Sequence, residues 1–176
     1  MNKNLVNPKF WALTLMILAA AFTRLIPHYP NFTAVGAMAL FGGAYFSKKY
    51  LAFIVPMAAM LISDLFLGFY SGMWVVYLSF LLIVVIGMQI GQTKKPGRVL
   101  LASVTASVSF FLITNFALFP PNIIYPQNLA GIFESYLAAI PFFSYTLLGD
   151  LFFVGIMFGA FEIAKTKFPV LAKAEI

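Results

Sequence analysis

Six residues supply most of the polar chemistry this chain has to offer: Arg24, His28, Asn31, Asp64, Asn115 and Asp150. Each lies within or beside a long apolar run. A charged group at the middle of a bilayer-spanning helix costs about 2.5–3.5 kcal/mol on the insertion scale, so such residues face a bundle interior or a water-filled cavity. Two roles compete for them. Arg24 and one aspartate could simply lock two helices together, and an arginine near the interface can snorkel to water. The whole set exceeds what one ion pair needs, and we read it as the wall of a polar cavity for a small-molecule substrate. His28, Asp64 and Asp150 are of the right types to hold a metal, yet no HxxxH or ExxH spacing points to one. No serine sits in a nucleophile-elbow context, and the chain has no cysteine, which removes thiolate sites and disulfides. The expectation is a protein that is not an enzyme and uses neither metal nor cofactor.

These residues must be positioned by membrane helices. Of 176 residues 62% are hydrophobic and 9% charged, with a mean hydropathy of +0.97, against about 25% charged residues in an ordinary soluble domain. The formal net charge of +6 could suggest nucleic acid, but the basic residues stand at the ends of apolar runs and form no patch or tail. Apolar runs cover residues 10–27, 32–46, 50–70, 73–91, 98–118 and 143–164, which predicts one all-α membrane domain over 1–176 with six transmembrane helices. The second run is short, reaching only about 22 Å at helical rise. A re-entrant second segment would scatter the basic residues over both sides. Six crossings instead place Lys3, Lys9, Lys48, Lys49, Lys94, Lys95, Arg98, Lys165, Lys167 and Lys173 on one side, leaving Arg24 alone on the other. By the positive-inside bias both termini are cytoplasmic. The continuation of the first run past Ala21 through Phe22, Leu25 and Ile26 is that of a retained helix, not of a cleaved signal peptide.

In this topology the polar set shares a depth. Asp64 lies about 9 Å inside the outer end of the third span and Asp150 about 10 Å inside that of the sixth. Asn115 and Arg24 sit near the outer ends of the fifth and first, with His28 and Asn31 in the turn after the first. Residues 119–142 hold Pro120, Pro121, Pro126 and Pro141. Between them Leu129, Ile132, Phe133, Tyr136, Leu137 and Ile140 recur at helical spacing after Asn128, a ready N-cap. A short outer amphipathic helix is expected there, lying in the headgroups or roofing the cavity with Glu134 inward. Small pairs Gly87/Gly91, Gly155/Gly159 and Ala102/Ala106, with the glycine-rich second run, point to close packing within one bundle in preference to a homodimer seam. Pro56 and Pro141 should kink or start helices. Tyr70, Trp74 and Tyr77 suit an interfacial belt.

The strings RLIPHYPNFTAVGAMALFGGAYF, PMAAMLISDLFLGFY, FFLITNF and AAIPFFSYTLLGDLFF resemble a family of small, uncharacterised bacterial membrane proteins described as candidate transporters. The architecture is in turn similar to the substrate-binding S components of energy-coupling-factor (ECF) vitamin transporters. The resemblance implies a multi-pass protein of the bacterial cytoplasmic membrane that takes up a small organic nutrient, with Arg24, His28, Asn31, Asp64, Asn115 and Asp150 facing the ligand. It also implies separate transmembrane coupling and ATP-binding subunits, since no GxxxxGK[ST] motif is present. The AxxxA docking pair of the S components is not matched, because Ala12 is followed by Met16. The alternative from another class is a non-transporting membrane helper or assembly factor whose polar groups only hold its helices together.

Overall fold

A computed structural model describes residues 7–91, 93–116 and 124–173. Lys3, Pro120, Pro121 and the last two positions of the expected 98–118 span lie outside the described residues. Among those described there are seven α-helices and no strand. Helix α1, Pro8–Phe22, starts where the Asn7 side chain accepts from the Lys9 and Phe10 amides at 3.0 and 3.4 Å, with Pro8 supplying a preset first turn. It tightens into a 3₁₀ turn over Thr23–Leu25 and stops at extended Ile26, the residue before Pro27, where proline disfavours helix. Helix α2 is Val35–Tyr45, α3 Lys49–Leu67, α4 Met73–Met88, α5 Pro96–Thr114, α6 Leu129–Lys167 and α7 Pro169–Lys173. The turn between α3 and α4 is set by Gly68 and Gly72, at φ 90° and 84°, which a side chain would oppose.

All six expected apolar runs are helical. Four segments, Pro8–Leu25, α3, α5 and α6, are long and apolar enough to cross a bilayer; α2 and α4 are apolar but shorter, at 11 and 16 residues. The surface is that of a membrane-like protein: Leu65, Phe66, Leu101 and Phe152 are more than half exposed while Ser63, Asp64, Ser103, Ser107 and Asp150 are buried. Successive helices alternate in direction between two ends of the bundle. At one end Lys9, Lys49, Lys94 and Lys165 surround a recess with Tyr45 and Met88; at the other, Arg24, Gly36, Gly72 and Asn115 surround a larger cavity.

Helix α2 is the axis. Every residue in it except Ala44 is buried, and it touches α1, α3, α4, α5 and α6. Glycines allow this. A Cβ on Gly43 would run into the Val84 carbonyl of α4, one on Gly87 into the Leu40 carbonyl of α2, and one on Gly42 into the ring of Pro56. Aromatic rings fill the far end, with Phe41 and Tyr45 of α2 against Phe158 and Phe161 of α6 at centroid distances of 4.7–5.7 Å. The Tyr45 hydroxyl donates to Glu162, which also pairs with Lys165, each at 2.6 Å.

Three expectations are corrected here. The short outer helix is not separate: it is the first third of the 39-residue α6, capped by Asn128, whose side chain accepts from the Gly131 amide at 3.0 Å. Of the two roles expected for the prolines, starting a helix is the one corrected: Pro141 lies within α6 and Pro56 within α3, its ring seated against Gly42. Neither expected GxxxG works as written. Gly87 pairs across helices with Gly43, Gly91 lies beyond α4 at φ 81°, and Gly155 and Gly159 meet nothing among the described residues.

The contrast gives a direct test. Gly43→Ala should destabilise the protein by about 1–3 kcal/mol, since its methyl group meets backbone that cannot rotate away. Gly155→Ala should change stability by no more than about 0.5 kcal/mol. Thermal melting of both variants in detergent checks the order, and equal melting temperatures would contradict the axial role of α2.

Candidate functional site

At the Arg24 end the helices enclose a cavity of about 710 Å³. Its wall is assembled from the Asn31–Gly36 stretch, the start of α4, the end of α5 and one stripe of α6. That stripe, Ser135, Ala138, Ala139, Phe142, Phe143, Thr146 and Asp150, follows the three- and four-residue spacing of a helix face. The outer part of α6 thus turns small residues inward and leaves Leu129, Phe133 and Leu137 exposed. Ser135 donates to the Asn115 carbonyl at 2.9 Å and Tyr136 to that of Leu112 at 2.7 Å, fastening α6 to α5. Glu134 is exposed and not on the wall, so its expected inward role is corrected.

The six candidate residues divide. Arg24, Asn31, Asn115 and Asp150 line the cavity; His28 and Asp64 do not. His28 is exposed in the turn after α1, beside Tyr29, whose ring stacks on Tyr145 at 5.7 Å. Asp64 is 1% exposed and closed off behind the wall. One oxygen pairs with Arg24 at 2.7 Å and the other accepts from the Tyr77 hydroxyl at 2.7 Å. Arg24 also donates to the Ser63 hydroxyl, which donates in turn to the Met60 carbonyl. The network clasps the end of α1, α3 and α4, with Tyr77 as its α4 member.

Asp150 sits differently. It is 4% exposed, accepts from the Ser107 hydroxyl of α5 at 2.6 Å, and has no ion-pair partner among the described residues. Its other oxygen lies against Gly36 in the first turn of α2, where a Cβ would collide with it. The neighbouring Gly149 lets the Phe32–Thr33 backbone rest on α6. Asn31 has φ 65° and follows Pro30 in a turn closed by the Phe32 amide to the Tyr29 carbonyl at 3.0 Å, the usual places of proline and asparagine in a type II turn. Asn115 caps α5, donating to the Phe111 carbonyl at 2.9 Å. Among the described residues no three histidine, aspartate or glutamate side chains converge as metal ligands would.

Sequence reasoning missed Ser63, Ser107, Tyr77 and Gly36. Tyr77 reads only as a belt residue and Gly36 only as part of a glycine-rich run, while Ser107 could have been marked as the second of two serines, with Ser103, spaced four apart on an apolar helix.

The chain belongs to a family described as "Family of unknown function (DUF6580)", whose model matches residues 4–171. No curated protein and no solved structure matches the chain.

The Arg24–Asp64 clasp should behave as a buried pair. Arg24→Gln or Asp64→Asn alone should cost about 3–5 kcal/mol, because each strands a charge. The double variant should recover much of that loss, and a double-mutant cycle by thermal melting measures the coupling.

Proposed function

We propose that this family member is a substrate-binding subunit or small transporter, similar in kind to the S components of ECF transporters, that takes up a small organic nutrient through the cavity. The observation that carries this reading is the cavity itself. At about 710 Å³ it falls in the range of roughly 300–1,000 Å³ usual for small-molecule sites. Its lining combines the aromatic rings of Tyr70, Phe110, Phe111, Phe142 and Phe143 with a few polar anchors, Arg24, Asn31, Asn115 and Asp150, the mixture by which such sites bury a ligand and orient it. On this reading ATP-binding and coupling subunits are separate chains.

The alternating helices and the basic residues at one end support six crossings of a bacterial cytoplasmic membrane, both termini cytoplasmic and the cavity open outward. Helices α2 and α4 are short crossings, sheltered by the longer ones. A second reading, a helper whose polar groups are only structural, is favoured by one feature: the Arg24–Asp64–Tyr77 network is closed on itself and leaves little for a ligand.

Two measurements separate these readings. Native mass spectrometry of protein gently extracted from its own membrane should find a retained small organic molecule; protein that is consistently empty, and that no added metabolite stabilises, favours the helper. For orientation, Ser47→Cys, Thr93→Cys and Thr166→Cys should resist an impermeant thiol reagent applied outside intact cells, and Gln127→Cys should react. Outside labelling of Thr93→Cys would reverse the assignment.

A further inference from the structure

We infer that the ligand of this cavity carries an ammonium group and that Asp150 anchors it, an inference that rests on reading the cavity as a binding site. Among the described residues only two charged side chains line the cavity, Arg24 and Asp150. Arg24 is already neutralised, because Asp64 holds it at 2.7 Å from behind the wall. Asp150 therefore brings to the cavity a buried carboxyl group that has no cationic partner among the described residues. Its surroundings supply part of what a buried carboxylate needs: the Ser107 hydroxyl at 2.6 Å and the first turn of α2, whose dipole favours an anion. They supply no cation, and a carboxylate this deeply buried is costly to keep charged without one.

The walls fit the same ligand. Phe110, Phe111, Phe142 and Phe143 line the same cavity as Asp150, and aromatic rings attract ammonium groups through their quadrupole. An anionic ligand would meet Asp150 unscreened and would have to compete with Asp64 for Arg24. A neutral one would leave the buried carboxylate unpaired. Gly36 adds a steric requirement, since any side chain there would push the carboxylate from its place.

A matched charge series tests this on the purified full chain: 2-phenylethylamine, neutral 3-phenylpropionamide and anionic 3-phenylpropionate, with choline as a second ammonium probe, read by thermal stabilisation. The two ammonium compounds should stabilise the protein and the amide and carboxylate should not. Asp150→Asn should weaken ammonium binding about 10- to 100-fold, the loss expected for a charged hydrogen bond. Should that variant fail to fold, the series on the unaltered chain still decides. Binding of the amide or carboxylate as tightly as the amines, or undiminished amine binding by Asp150→Asn, overturns the ammonium anchor while leaving the cavity a binding site. If none of the four binds and native mass spectrometry finds the protein empty, the binding-site reading fails with it.

Discussion

Helix α2 is too short to fill the layer its neighbours define, and most of the architecture follows from that. Its 11 residues rise about 16 Å, roughly half the thickness of a hydrocarbon core. Backbone-to-backbone contact at Gly43 and Gly87, and the ring cluster at Tyr45, hold it toward the lysine-rich end. The volume above its first turn is what the longer α5 and α6 enclose as the cavity, and Val35 and Gly36 form part of its floor. A longer central helix would occupy this space with its own side chains.

The two buried aspartates show how similar local sequence leads to different chemistry. Asp64 in SDLFLG and Asp150 in GDLFFVG are both followed by Leu-Phe, and both are almost fully buried. What separates them lies far away in the chain. Asp64 is met by Arg24, 40 residues before it, and by Tyr77, so its charge is spent on joining helices. Asp150 is met by the Ser107 hydroxyl and by Gly36, with no ion pair among the described residues. That difference gives Asp64 a charged partner inside the bundle and leaves Asp150 without one among the described residues.

This explains what was legible in the sequence. Hydropathy located the helices of the six apolar runs, α1 to α5 and the later part of α6, because a bilayer demands continuous apolar length. The glycine content of 32–46 correctly marked a helix buried among neighbours. Depth counting placed Arg24, Asn115 and Asp150 at one cavity, since helical rise is fixed. It could not foresee that Asp64 faces away from the cavity, because a helix rotation of about 100° per residue turns on tertiary contacts that no local pattern encodes. The separation of residues 129–140 from the last span failed for a related reason. Pro141 is a strong stop signal in water, but among apolar helices the cost of one lost donor is small beside that of unpairing a whole turn of backbone.

The stripe on α6 joins these points. A single helix carries Ser135, Ala139, Phe143 and Asp150 down one wall, from α6's bond with the end of α5 to the first turn of α2. Because Gly149 seats the Phe32–Thr33 backbone, the loop entering α2 and the helix bearing the carboxylate cannot shift independently. Positioning Asp150 and fixing the start of α2 are therefore one mechanical problem. The missing side chain at Gly149 lets the Phe32–Thr33 backbone approach α6, and the one missing at Gly36 leaves room for the Asp150 carboxyl group, which a larger residue would push away.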